Sequence, residues 1–398
     1  MRKWKLNKIT DPLFSIVLVL LIGVVIMLVV GYDPIYAYGQ LIRGGFGTKL
    51  NFGTTLEKIT PVLLSGLAFV IGIPYSYEIM DINTVDEAID AIYALAVRGA
   101  PAIGTCGAMA LALYCKNLPE QTAEAFYAGL DSEAARIVAT RPTAVNLKWA
   151  VEKSVSEIKA ADFDNTKDIF NKLVSIANSI ADKEVENAKR IGEFGATLIP
   201  ETGANIHTHC STGPLCTVDY GLGMGVVYTA MKQGKPVHVY TDETRPRMQG
   251  TKINTFDLKR MGVPYTLICD DTSALLMKLG KIDMVFISAD RVVGNGDVAA
   301  KIGVYGIAIC AKEHGIPVYC FAPTSTIDYN LKSGDDIKLE QRPADEVLNI
   351  CGTYVAPPDT PVLNYAFDVT PAKYWTAIIT EKGIAYPPFS ESLLKFKD

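Results

Sequence analysis

Two side chains in this sequence are of a type, and at positions, that could move protons. Cys210 closes the run 205–210, NIHTHC, which reads as a buried strand breaking into Ser211, Thr212 and Gly213 before a helix starts. A strand that ends at a helix N-terminus gathers free backbone N–H groups, and the positive helix end lowers a thiol's pKa. The alternative for Cys210 is a small buried hydrophobe. Asp290 follows the buried run 284–288, MVFIS, and precedes Arg291. A carboxylate there is either a loop cap or an acid/base. The next loop, Gly294-Asn295-Gly296, has the composition of a phosphate loop. Two cations stand at helix breaks. Arg98 precedes the turn Gly99-Ala100-Pro101, where a guanidinium and a fresh helix N-terminus suit one anion. Arg141 precedes Pro142, and its alternative is a surface arginine. His207, His209, Cys210 and Cys216 do not read as a zinc cluster. The histidines alternate with Thr208, so they share one face opposite Thr208 and Cys210, and no metal is expected.

The elements that carry these residues form an α/β chain. Short apolar runs at 205–210, 236–241, 265–269, 284–288 and 317–321 are bounded by Gly, Pro or Asp and separated by helical patterns. That is the signature of βαβ units and a parallel sheet. Ligands of such sheets sit at the carboxyl ends of the strands. Those ends read CSTG, DETRPRMQG, DD and ADR, a gathering of polar groups that a structural sheet does not need. Ahead of the sheet, Thr84 and Glu87 form a capping box that opens a helix expected to end at Arg98–Gly99. Pro101 then starts the next helix. Residues 120–195 read as almost wholly helical, broken at 141–143. The expected organisation is a membrane segment at 1–73, a mainly helical domain at 74–200 and a Rossmann-like domain at 201–390.

The 398 residues carry a net charge of −5 and 20% charged side chains, so nothing argues for nucleic acid. Eight cysteines without a CxxC pair suit a reducing compartment, hence a cytoplasmic catalytic part. The opening is different. Arg2, Lys3, Lys5 and Lys8 precede an uncharged apolar run at 13–30, and a second run lies at 59–73. One or two transmembrane helices are expected, giving membrane contact through those residues. The stretch 51–72, NFGTTLEKITPVLLSGLAFVIG, resembles the start of an ABC-type sugar or nucleoside permease subunit. A permease needs many spans and the rest of the chain supplies none, so no transport is expected.

From about residue 73 to 384 the sequence resembles the methylthioribose-1-phosphate isomerase family. The motifs are VRGAPAIG at 97–104, RPTAVNL at 141–147, THCSTG at 208–213, DETRPRMQG at 242–250, SADRVVGNGD at 288–297 and APTSTID at 322–328. The resemblance implies a helical N-terminal domain, a Rossmann-like C-terminal domain, a site between them and a homodimer. It implies Cys210 and Asp290 as the catalytic pair. Arg98, Gly99, Ala100, Arg141, Gln249 and Lys301 would bind a sugar phosphate, with Lys301 on the turn after the Asp290 loop. The family usually has Asn where this chain has Ala300, so one substrate contact is expected to be missing. The implied reaction is the conversion of 5-methylthioribose 1-phosphate to 5-methylthioribulose 1-phosphate, in methionine salvage. Alternatives are 5-deoxyribose 1-phosphate or ribose 1,5-bisphosphate as substrate, or a non-catalytic regulatory subunit of the same fold. Proton transfer through an enediol and a direct hydride shift both remain open. Neither needs a cofactor, and the glycine pattern is not GxGxxG.

Overall fold

The computed structural model describes residues 80–397 apart from 119–121, 142–143 and 351. The apolar runs at 13–30 and 59–73 and the permease-like stretch lie outside the described residues. Among the described residues no helix is long and apolar enough to cross a membrane.

Among the described residues five helices come first: α1 (Val85–Tyr93), α2 (Ala100–Lys116), α3 (Ala123–Ala139), α4 (Val145–Ala161) and α5 (Thr166–Ala196). The Thr84–Glu87 capping box forms as expected. The helix it opens stops at Tyr93, however, five residues before the expected end, because the chain turns left-handed at Leu95 (φ 57°). The helical stretch also has a second break, at Asp162 (φ 47°). Helix α2 is buried on nearly every side, as its small and apolar residues allow. A Cβ at Gly107 would come within 2.5 Å of Leu147 Cδ1, so that glycine lets α2 and α4 approach closely.

A seven-stranded sheet follows, in the order β13-β12-β7-β4-β1-β2-β3. Its strands are β1 (Ala204–Thr208), β2 (Val237–Asp242), β3 (Tyr265–Ile268), β4 (Met284–Ser288), β7 (Val318–Phe321), β12 (Ala377–Thr380) and β13 (Gly383–Ala385). All pairings are parallel except that of β13 with β12. The five expected runs are all strands, and β12 and β13 are additions to them. Side chains alternate between the faces. Met284, Phe286, Tyr319 and Phe321 pack into one apolar cluster, and Val285, Ile287, Val318 and Cys320 into another. Burying each such large side chain contributes about 1.5–3 kcal/mol. A second sheet of four short strands has the order β11-β6-β5-β8, built from β5 (Arg291–Val293), β6 (Val298–Lys301), β8 (Ile327–Asp328) and β11 (Phe367–Thr370).

Helix α5 joins the two layers. Its first half, Ile169 to Ile180, belongs to the cluster among the helices, while Ala188, Ile191 and Ala196 pack on the sheet. One continuous helix of 31 residues therefore fixes the helical layer against the strand ends. Glu184 lies between these halves, 6% exposed. Burial and then the neighbouring Glu381 raise its carboxyl from 4.5 to about 7, against the pull of Lys183. A carboxyl raised by folding contributes stability that is complete below its unfolded value and lost as pH rises through its folded value. Glu184→Gln is expected to match the parent near pH 4.5 and to exceed it above about pH 7, by up to about 3 kcal/mol. Urea midpoints at the two pH values check this, and equal midpoints at the higher pH would refute it.

Candidate active site

The strand order reverses between β1 and β4, and the crevice outside their carboxyl ends opens toward α2. Cys210 stands two residues beyond β1 and Asp290 two residues beyond β4. Both line one cleft, together with Arg98, Gly99, Ala100, Arg141 and Lys301.

Cys210 is held by its backbone. Its φ is 66°, a left-handed conformation that costs a non-glycine residue about 1–3 kcal/mol. Thr244 Oγ1 accepts from its N–H at 3.0 Å, and Asn254 Nδ2 donates to its carbonyl at 2.6 Å. The expected helix does not follow directly. A single turn at Pro214–Cys216 intervenes, and α6 (Gly223–Lys232) begins later, where Leu222 and Met224 donate to the Thr212 carbonyl. The helix expected after the Ser211–Gly213 turn thus starts only at Gly223, and its N-terminus does not stand next to Cys210 in sequence. Pro214 and the left-handed Gly221 delay the helix.

Asp290 carries its carboxyl into the cleft between three cations. Burial raises its pKa, while Lys301, Arg141 and Arg98 pull it down; the net direction is upward. Burial lowers Lys301, with Cys210 and Asp290 opposing, and its Nζ lies 4.6 Å from the centroid of the Phe367 ring. Burial also lowers Arg98. Among the described residues its guanidinium has no hydrogen-bond or ion-pair partner. It stands beside the N-terminus of α2, which has no side-chain cap and carries Pro in its first turn. Arg141 is 7% exposed and pairs with Glu340 at 3.6 Å.

Gly99 is required at this turn. Its φ is 83°, and a Cβ there would sit 1.7 Å from the Cys216 carbonyl oxygen. Gly99→Ala is expected to displace the Arg98 turn from the Cys210 loop, costing about 1–3 kcal/mol of stability and most of the turnover. A parent-like melt with a parent-like rate would refute this.

A model of the initiation factor 2 subunit family matches residues 96–387. A methylthioribose-1-phosphate isomerase of Caldicellulosiruptor saccharolyticus is 44% identical over 326 residues, which are 82% of this chain and 94% of the relative. The crystal structure of 5-methylthioribose 1-phosphate isomerase from Pyrococcus horikoshii superposes with a TM-score of 0.75 at 41% identity, covering 82% of this chain and 91% of that one. The chain belongs to the methylthioribose-1-phosphate isomerase family. A translation initiation factor 2B delta subunit from A. fulgidus shares the fold at 35% identity and a TM-score of 0.73, covering 82% of this chain and 95% of that one. The permease resemblance of residues 51–72 finds no support in these comparisons.

Within this isomerase-family fold, the residues expected from the sequence are placed as follows. Cys210, Asp290, Arg98, Gly99, Ala100, Arg141 and Lys301 meet at the cleft. Lys301 is the last residue of β6 rather than part of a turn. Gln249 is fully buried behind the cleft, where its Nε2 donates to Cys210 Sγ at 3.4 Å and its Oε1 has no partner among the described residues. Ala300 faces away from the cleft into the apolar cluster around Val285 and Ile287, so the expected missing contact is not one made at the cleft surface. Asn295 bonds to Asp297 and closes the β5–β6 turn on itself, away from the cleft lining. His207 and His209 do share a face, and both meet Asp242. Sequence reasoning missed Glu340, Arg342 and Phe367, which also line the cleft. Their only signal is the charge cluster KLEQR at 338–342, which carries no motif.

Proposed function

We propose that this chain isomerises 5-methylthioribose 1-phosphate to 5-methylthioribulose 1-phosphate, with Cys210 and Asp290 as the proton carriers. The observation that carries the reading is the convergence of a thiol and a carboxyl, from neighbouring strand ends, in one cleft with Arg98, Arg141 and Lys301. The phosphate is taken by Arg98 and the N-terminus of α2, with Arg141 exchanging Glu340 for it. Gln249 acts on the site from behind the cleft, where its Nε2 donates to Cys210 Sγ. The adjoining cavity is lined by Ala100, Ile103, Ala144, Leu339 and Phe367, whose apolar surface suits a thioether, and also by Arg141, Asp290, Arg291 and Lys338.

The difficulty of the reaction is that C1 carries both the ring oxygen and the phosphate ester. Asp290, its carboxyl pushed upward by burial, gives its proton to the ring oxygen as the C1–O bond breaks. The Cys210 thiolate then removes the C2 proton, and the C–H electron pair becomes the C1–C2 double bond of an enediol-type phosphate. The C2 hydroxyl returns its proton to Asp290, and C1 takes a proton from the Cys210 thiol. Both side chains finish as they began. The test is ketose formation followed by NMR in deuterated water. Turnover with deuterium at C1 is expected. No ketose formation would end the reading, and complete retention of hydrogen would replace proton transfer by hydride shift. The reading also carries a homodimer, which light scattering checks.

A further inference from the structure

His209 precedes Cys210 and takes no part in the chemistry above. It is 2% exposed. Its Nδ1 lies 2.7 Å from Asp242 Oδ2, and its Nε2 lies 2.9 Å from the carbonyl oxygen of Ile302. A carbonyl oxygen only accepts. Asp242 is an acceptor too: burial pushes its carboxyl up, but the two histidines outweigh this and hold it below its ordinary value. With acceptors on both sides, both ring nitrogens of His209 must carry hydrogen. His207 differs. Its Nε2 lies 3.0 Å from Asp242 Oδ1, while its Nδ1 is buried without a partner, so one proton satisfies it.

The other charged groups around His209 agree. Asp270 Oδ1 lies 4.0 Å from Nδ1, and Asp368 on β11 faces the ring with its own carboxyl tied to the Gly303 and Tyr305 N–H groups. Lys301, the last residue of β6, is the neighbouring cation, one residue before Ile302. Gly303 leaves room for the imidazole, since a Cβ there would stand 3.2 Å from Nε2. Cys210 follows a strand of the seven-stranded sheet, and Lys301 ends a strand of the other sheet. No strand pairing joins β1 to β6.

We propose that His209 is a positioning residue, held as an imidazolium, whose two donated hydrogen bonds tie the strand end bearing Cys210 to the strand end bearing Lys301. The proposal rests on the isomerase reading of those two side chains. Removing either proton turns a lone pair toward an oxygen and opens the tie on that side.

Imidazole nitrogen NMR on the unaltered full chain tests the charge, and with four histidines the signals can be assigned by single substitutions. At about pH 8, where an ordinary imidazole is neutral, His209 is expected to show two protonated nitrogens and His207 one. A single protonated nitrogen on His209 would overturn the proposal. This arm needs no turnover, so it fails independently of the isomerase reading. The second arm is His209→Gln, which removes the charge. We expect kcat to fall about 10–100-fold by misplacement, with KM changed less than about threefold and the melt retained. A folded variant with the parent kcat, or one altered in KM alone, would overturn the positioning role. A parent without turnover but with a doubly protonated His209 would remove the reaction and leave the tie.

Discussion

Cys210→Ser is expected to bind the sugar phosphate as the parent does and to turn it over about 10²–10⁴-fold more slowly. The exchange changes one atom at the edge of the cleft, so the melt should barely move. The hydroxyl of Ser is a far weaker acid than a thiol and cannot serve as the base that carries a carbon-bound proton. The left-handed backbone at 210 is held by Thr244 and Asn254 through main-chain atoms, and the substitution leaves those bonds intact. Steady-state kinetics and binding calorimetry on the same preparation separate the outcomes. A rate within tenfold of the parent would take Cys210 out of the chemistry.

Asp290→Asn should produce a loss of similar size, again with little effect on affinity. The amide cannot deliver a proton to the ring oxygen, so kcat should fall about 10²–10⁴-fold. The protonated acid that the reaction needs is neutral, as the amide is, so the exchange leaves the charge around Arg98, Arg141 and Lys301 unchanged. A phosphate should therefore bind the variant about as tightly as the parent. The parent's pH profile follows from the same group. A carboxyl raised by burial keeps its proton to higher pH, so kcat should decline on the alkaline side as Asp290 loses it. An Asn variant with weaker phosphate binding and a normal rate would reassign Asp290 as a structural cap.

Much of the sheet was readable because buried parallel strands are near-continuous apolar runs, and MVFIS at 284–288 is such a run. The four-stranded sheet was not. Its strands hold two to four residues, such as ID at 327–328 and VAAK at 298–301, too few for a period to show. Lys301 was found through its motif, but its place on a strand, and the inward turn of Ala300, depend on that unseen sheet. The early end of α1 was hidden because Leu95 adopts a left-handed conformation that usually advertises itself with glycine. Glu340, Arg342 and Phe367 reach the cleft only through tertiary folding of a distant loop and the edge strand β11. The helix expected directly after Gly213 was misplaced because a proline and a Gly turn intervene, which local propensity does not rank.

Only Ala289 and Asp290 separate the end of β4 from the start of β5, and those strands belong to different sheets. Such a link has no slack to absorb an extra residue. One insertion there would shift the carboxyl by a strand step of about 3.3 Å and reverse its facing. The segment between β8 and β11 is far longer, and it reaches the cleft through a long side chain, that of Glu340, which pairs with Arg141. Length variation among descendants of this chain is therefore expected to accumulate in that segment and to spare the two-residue link.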